Sequence, residues 1–353
     1  MTDFSLADKT FMMRCVQLAK NGLGTTTPNP MVGCVIVYNN KIIGEGWHYA
    51  SGQPHAEVMA IRSVKNPELL SQATLYVSLE PCSYTGKTPP CSDLIIEKRI
   101  PRVRIGSTDP HPNVSGKGIE RLRKSGIEVT SGLCKTECDA LNKRFFTFHI
   151  KKRPYVLLKW AATKDGFIAP ETQEQGKAFW ISSPISKQQV HLWRSQEASI
   201  LVGTNTAIKD NPKLNTREVY GKNPVRLCID KDLKIPASHY LLQKDIPSVI
   251  FTYQQKDSSK NLTYFDLDKS QPIPQQILEY CYQNNLQSIL IEGGMQLLQS
   301  FIDASLWDEA RVFTGRALLH KGIPQPKLNV FPYQQMKSGT DSLSYYKNPE
   351  EQS

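Results

Sequence analysis

The sequence predicts an α/β protein built from two domains, residues 1–150 and 154–353. Three observations predict it. A chain of 353 residues is too long for one ordinary domain and suits two. Strand-like apolar runs alternate with helix-like stretches through the second half, the pattern of an α/β sheet. Between the halves, Lys151-Lys-Arg-Pro154 ends a helix-like segment, because proline cannot donate a helical N–H.

In the first half, Val32 to Tyr38 and Lys41 to Trp47 read as two strands around Asn39-Asn40, a favourable tight-turn pair. Pro54 marks a helix start, and Ala56 to Val64 reads as that helix. Thr74 to Leu79 is a strand that delivers Glu80-Pro81-Cys82 at its end. Cys91 opens a helix over Ser92 to Arg99, and Cys138 to Ile150 reads as one helix. After Pro154 the strands are Tyr155 to Ala161, Ser199 to Val202, Val225 to Ile229, Ser248 to Tyr253, Ser288 to Ile291 and Arg311 to Thr314. The helices are Pro184 to Gln196, Pro274 to Gln283 and Met295 to Ala304. The stretch after about Pro324 is polar and Pro-rich in places, and its order stays open.

Composition narrows the class. At 39% hydrophobic and 22% charged residues the chain reads as an ordinary soluble protein. It has no run of about 18 apolar residues, so no membrane span is expected. The N-terminus lacks a basic segment followed by an apolar one, so no secretory signal is expected. Eight cysteines fit a reducing compartment, and the expected location is the cytoplasm. Residues 1–153 carry a net charge of +8 out of +10 for the chain. Clusters at Lys98 to Arg104, Lys117 to Lys124 and Lys143 to Arg153 could bind nucleic acid or steer a small phosphorylated substrate. No aromatic residues interleave them, so solvated faces with some steering are expected and a nucleic-acid partner is not. Isolated edge strands would allow a homo-oligomer.

The chemistry of the first half lies in His55-Ala-Glu57, Pro81-Cys82 and Cys91. One imidazole and two thiolates make three zinc ligands. Three protein ligands plus water is the pattern of a catalytic zinc site, whereas a structural site supplies four. Zinc lowers the pKa of bound water from about 15.7 to about 7. Glu57 is not needed for coordination and is left to move protons. Residues two apart do not share a face of a regular helix, so His55 and Glu57 flank one site only if His55 lies in an irregular first turn. The order His-x-Glu, Pro-Cys, Cys is the signature of zinc-dependent nucleobase deaminases. A buried pair of thiols is the plain alternative; the order and the proline favour the metal. Cys134 and Cys138 lack a matching pair, so no second metal site is expected.

Asn29, between two prolines, is either a turn residue or an amide that reads the edge of a flat heterocycle as donor and acceptor at once. In the second half, Ile289-Leu-Ile-Glu-Gly-Gly294 is an apolar strand ending in two glycines before a helix. Such a turn lets backbone N–H groups approach a phosphate, or is simply a strand–helix turn. It lacks the Gly-x-Gly-x-x-Gly fingerprint, so a Rossmann domain is not predicted.

These motifs bring a resemblance into view. Thr27-Pro-Asn-Pro30, Val32-Gly-Cys34, His55-Ala-Glu57, Leu79-Glu-Pro-Cys-Ser83 through Gly86-Lys-Thr-Pro-Pro-Cys91, and Asp109-Pro-His-Pro112 resemble the pyrimidine deaminase domain of the bifunctional riboflavin-biosynthesis deaminase/reductase family. Eight residues separate Cys82 from Cys91; RNA-editing and cytidine deaminases usually have about two there. Residues 154–316 resemble the family's reductase domain through Lys159-Trp-Ala-Ala-Thr-Lys-Asp-Gly166, Trp180-Ile-Ser-Ser-Pro184, Arg194, Val202-Gly-Thr-Asn-Thr206, Asp210-Asn-Pro-Lys-Leu-Asn-Thr-Arg217 and Glu292-Gly-Gly294.

The resemblance implies a cytidine-deaminase-like αβα fold followed by a dihydrofolate-reductase-like α/β fold. It carries the zinc ligands onto His55, Cys82 and Cys91 and the proton-transferring carboxylate onto Glu57. It carries NADPH positions onto Ala162, Trp180, Thr206, Asp210 and the turn at Gly294, Met295 and Gln296. Sugar-phosphate substrate positions fall on Arg194, Leu214, Arg217 and Glu292; two arginines suit a phosphate dianion. The implied reactions are deamination of 2,5-diamino-6-ribosylamino-4(3H)-pyrimidinone 5′-phosphate and reduction of its ribosyl group to ribityl. Some positions depart from the family pattern. Tyr84 stands where His is frequent. Lys87 stands for Arg and loses its bidentate fork. Ala178 and Thr163 stand for Ser, and Lys231 for a small polar residue. Two rival readings are a tRNA deaminase with an accessory α/β domain and a zinc-stabilised scaffold.

Overall fold

The computed structural model describes residues 4–84, 89–111, 115–172 and 179–352. The chain divides into two units, Met1–Lys152 and Arg153–Ser353.

In the first unit one sheet is ordered β2 (Lys41–Trp47), β1 (Gly33–Tyr38), β3 (Thr74–Leu79), β4 (Arg102–Ser107), β5 (Glu128–Ser131). β1 is antiparallel to β2 and β3, and β3, β4 and β5 are parallel. Successive side chains of a strand face opposite ways. Val35 and Val37 therefore join Met12 and Val16 of α1 (Leu6–Ala19), whereas Cys34 and Ile36 join Ala60 of α2 (Ala56–Ser63), Ile95 of α3 (Cys91–Glu97) and Leu122 of α4 (Lys117–Lys124). Both faces of β1 are buried, which gives a three-layer αβα arrangement. α1 crosses β1 so closely that a Cβ on Gly33 would stand 2.0 Å from the Cys15 carbonyl oxygen.

The single helix expected over Cys138 to Ile150 is instead two, α5 (Lys135–Leu141) and α6 (Lys143–Lys151). The break is at Asn142. Its side-chain amide accepts the Met31 N–H and donates to the Met31 carbonyl, each at 2.8 Å, and the residue is buried. A distant loop thus competes for the residue that would continue the helix. The basic clusters form ion pairs: the mostly buried Arg104 with Glu128, and the exposed pairs of Arg121 with Asp93 and Lys124 with Glu120.

The second unit is built on nine strands. Their order is β11 (Leu262–Asp266), β10 (Ser248–Thr252), β9 (Val225–Ile229), β8 (Ser199–Val202), β12 (Ser288–Ile291), β6 (Tyr155–Ala162), β13 (Glu309–Thr314), β16 (Asp341–Lys347) and β15 (Gln334–Ser338). Strands β6 to β13 in this sheet pair in parallel, while β16 runs antiparallel to both β13 and β15. β7 (Phe167–Ala169) and β14 (Ile323–Pro324) form a separate pair. The helices are α7 (Pro184–Gln196), α8 (Thr204–Asp210), α9 (Ile273–Gln283) and α10 (Met295–Asp303). The polar stretch after Pro324 is ordered into β15 and β16 because β16 pairs with β13 and β15 with β16, which satisfies its backbone. The parallel strands open together at their carboxyl ends, where open α/β sheets bind ligands. Among the described residues no helix is long and apolar enough to cross a membrane.

Asn142→Ala should destabilise the first unit by about 1–3 kcal/mol, because it strands two buried backbone groups of Met31. Urea unfolding combined with hydrogen exchange at Met31 measures this; an unchanged midpoint and unchanged protection would contradict the assignment.

Candidate functional site

The end of β3, the start of α2 and the start of α3 converge in the first unit. His55 is the N-cap of α2, with extended backbone (φ −73°, ψ 165°), so it stands outside the helix while Glu57 lies in its first turn. This irregular turn lets residues two apart face one point. Cys82 follows β3, and Cys91 is the first residue of α3. The ligand atoms of His55, Cys82 and Cys91 lie within 4.8 Å of one another. His55 Nδ1 is 3.3 Å from Cys91 Sγ and 3.6 Å from Cys82 Sγ. Tetrahedral zinc with ordinary bond lengths separates its nitrogen and sulfur ligands by about 3.6 Å. The donor set and its spacing fit zinc.

Electrostatics point the same way. The contact with Cys91, opposed by burial and helped by His55, brings the Cys82 thiol down to about 4. The contact with Cys82, then burial, pushes the Cys91 thiol well above the usual range. One thiolate resists the ionisation of the other, and a divalent cation relieves that resistance. Glu57 is 3% exposed. Burial pushes its carboxyl up to about 7, against the pull of His55. A carboxyl near neutrality can both take and give a proton at working pH.

His48, which no motif marks, completes one wall. Its Nδ1 is 3.1 Å from the Pro54 carbonyl, which can only accept, so Nδ1–H donates there. Its Nε2 then accepts from Asn29 Nδ2 at 3.1 Å. Burial favours this neutral ring. His48 also stands edge-on to His55, with ring centroids 5.3 Å apart. Asn29 is thus tied to the His55 region by a relay that only the tertiary structure reveals. Tyr84 is half exposed, and Lys87 lies outside the described residues.

In the second unit a cavity of about 1200 Å³ lies at the carboxyl ends of β8, β9 and β12. Trp180, Thr206 and Asp210 line it, as do Gly294, Met295 and Gln296. Gly294 caps α10, and a Cβ there would be 3.3 Å from Thr206 Oγ1, so the two turns adjoin. Gly293 has φ +124°, a conformation that favours glycine. Ala162 does not line the cavity. Strand alternation turns its side chain into the apolar core and presents Ala161 instead. Ala178 lies outside the described residues.

Arg194, Leu214, Arg217 and Glu292 line the same cavity. Arg194 Nε and Nη2 donate to the two Glu292 oxygens at 2.8 and 2.7 Å, and Nη1 donates to the Asn215 carbonyl at 3.3 Å. Its fork is therefore occupied by Glu292, since a buried carboxylate needs a counter-charge. Burial opposes ionisation of Glu292, but Arg194 and Lys159 outweigh it and hold the carboxyl at about 2. Burial draws Lys159 below the usual lysine range, against the attraction of Glu292. Arg217 is exposed, with one donor on Asn215 Oδ1 at 3.0 Å.

Residues 154–321 match the family model described as the RibD C-terminal domain, and residues 6–107 match the cytidine and deoxycytidylate deaminase zinc-binding region. The chain is 39% identical over 328 residues to the riboflavin biosynthesis protein RibD of Aquifex aeolicus, covering 90% of this chain and 89% of that one. It is 40% identical over 325 residues to RibD of Actinobacillus pleuropneumoniae, covering 89% and 85%. A solved structure from Thermotoga maritima, a diaminohydroxyphosphoribosylaminopyrimidine deaminase/5-amino-6-(5-phosphoribosylamino)uracil reductase, is 36% identical with a TM-score of 0.86, covering 97% of this chain and 99% of that one. The fold is accordingly a cytidine-deaminase-like αβα unit followed by a dihydrofolate-reductase-like α/β unit. With its His55–Cys82–Cys91 cluster in one unit and its reductase fold in the other, the chain belongs to the RibD family of bifunctional riboflavin-biosynthesis enzymes, zinc-dependent deaminase and NADPH-dependent reductase in a single polypeptide.

Proposed function

We propose that residues 1–150 deaminate 2,5-diamino-6-ribosylamino-4(3H)-pyrimidinone 5′-phosphate and residues 154–353 reduce the ribosyl group of the product to ribityl. The observation that carries this reading is the convergence of His55, Cys82 and Cys91 beside the buried carboxyl of Glu57. Bound zinc, held by those three ligands, supplies a Lewis acid that acidifies water. Glu57 takes one proton from the attacking water and delivers it to the ring nitrogen, then carries that water's second proton to the departing amine, so that one water enters and one ammonia leaves. Asn29, oriented by His48, reads the polar edge of the ring.

In the second unit, bound NADPH supplies the hydride. Trp180, Thr206, Asp210 and the Gly294–Gln296 turn hold the cofactor; Ala162, whose side chain is in the core and whose carbonyl accepts the Gly315 N–H, supports the wall from behind. Arg217 offers its exposed guanidinium to the substrate phosphate. Glu292, fixed by Arg194, and Leu214 position the sugar chain. Positioning is the main requirement of hydride transfer.

The working compartment is the cytoplasm, a reading supported by eight cysteines with no disulfide. The partner is the small phosphorylated pyrimidine and not a nucleic acid, because Arg104, Arg121 and Lys124 are already paired with acids. Among the described residues the outer edge of β15 has no neighbouring strand, which supports association into a homo-oligomer.

Glu57→Gln should lower the rate of ammonia release by about 10²–10⁴-fold while leaving reduction of pre-deaminated substrate intact. Ammonia assay and nicotinamide absorbance on the same preparation test this; loss of both activities in a folded protein would refute the division of labour. Arg194→Ala should destabilise the second unit by about 3–5 kcal/mol, because it leaves Glu292 buried without its main partner. Glu292 is held below its ordinary value of 4.5, so the pair contributes fully above that pH and is lost as pH falls towards about 2. Thermal unfolding at pH 7 and pH 3 reads this; an equal loss at both pH values would contradict it.

A further inference from the structure

The turn that carries Cys82 is braced by a carboxylate with no part in the chemistry above. Glu80 directly follows β3 and is 4% exposed. Its Oε1 accepts the N–H groups of Gly118 and Ile119 at 2.9 and 3.2 Å. Its Oε2 accepts those of Gly116 and Asp109 at 2.9 and 3.3 Å. Three of these donors belong to the start of α4, where N–H groups have no partner within the helix. The Glu80 N–H itself donates to the Ser107 carbonyl of β4 at 2.9 Å.

Independent packing makes the same contact tight. A Cβ on Gly118 would stand 2.0 Å from the Pro81 carbonyl oxygen, so α4 is pressed against the peptide between Glu80 and Cys82. On the opposite side, Ser92 N–H donates to the Cys82 carbonyl at 3.1 Å and Cys91 N–H to Cys82 Sγ at 3.3 Å. Glu80, Pro81 and Cys82 are consecutive. The sulfur therefore has little freedom once α4 and α3 hold the turn from both sides.

We propose that Glu80 is a positioning residue for the metal centre: by gathering four N–H groups it locks α4 against Pro81 and fixes the Cys82 sulfur relative to His55 and Cys91. The proposal rests on the reading of those three residues as zinc ligands. Outer-shell partners of metal ligands are worth about 10–100-fold in metal affinity. Glu80→Gln keeps the volume but turns one acceptor oxygen into an NH₂ group that meets two N–H donors head-on.

The test uses the full chain, loaded with zinc or with cobalt(II) as a spectroscopic substitute. E80Q should lose zinc to a chelating dye about 10–100-fold faster than the parent and shift the cobalt–thiolate absorption bands. Its ammonia release should fall while its reductase rate, an internal control in the same polypeptide, holds. Gly118→Ala should move the spectrum in the same sense, since its Cβ pushes α4 off Pro81, and it decides the question if E80Q does not fold. Zinc loss, cobalt spectrum and deaminase rate all within about twofold of the parent would overturn the proposal. So would a lowered melting temperature with an unchanged cobalt spectrum, which marks a purely structural carboxylate. A parent chain that takes up neither metal would sink the zinc reading and this proposal together; normal parent uptake with an indifferent E80Q sinks the proposal alone.

Discussion

Two cysteine sulfurs and an imidazole nitrogen packed within 4.8 Å of one another form an arrangement that a protein interior tolerates poorly unless a cation binds. The first thiol ionises readily and opposes the ionisation of the second. Much of the first unit is organised to hold these atoms in place. α2 must begin at His55 so that the ring leaves the helix axis, and α3 must begin at Cys91 so that its N–H reaches the Cys82 sulfur. The three-layer packing around β1 supplies the rigid base, and Gly33 lets α1 settle on it. In the proposed deamination, Glu57, buried beside that cluster, carries the protons.

The second unit solves a related problem with different chemistry. Its cavity needs a polar, charged floor in a region walled by apolar strands. Lys159, Arg194 and Glu292 supply it as a mutually compensating set, drawn from β6, α7 and the end of β12. The compensation is costly to break and leaves no open fork on Arg194. In the proposed reading, anion recognition falls to Arg217, which is exposed and keeps most of its guanidinium in solvent. The parallel strands make this possible, because their carboxyl ends bring residues far apart in sequence to one rim.

The convergence of His55, Cys82 and Cys91 is legible in the sequence because metal chemistry restricts both residue type and order. The start of α2 is legible too: Pro54 and the need to bring residues two apart to one point already require an irregular turn at His55. The break at Asn142 is not, because it depends on Met31, which lies 111 residues away. His48 and Glu80 escape for the same reason: His48 meets the Asn29 amide and Glu80 the backbone of α4, and no spacing rule marks such partners. β15 and β16 are polar, and their strand character comes from the edge offered by β13. The Arg194–Glu292 pair spans 98 residues, so the sequence gives no sign that the two positions the family resemblance marks for substrate are bound to each other.

The proposed deamination depends on the metal centre. X-ray absorption at the zinc edge of the purified full chain, with metal content measured on the same sample, tests it most directly. One zinc per chain bound by two sulfurs, one imidazole nitrogen and one exchangeable oxygen is the predicted result. A closed shell of four protein ligands, or a chain that stays metal-free under saturating zinc, would contradict it.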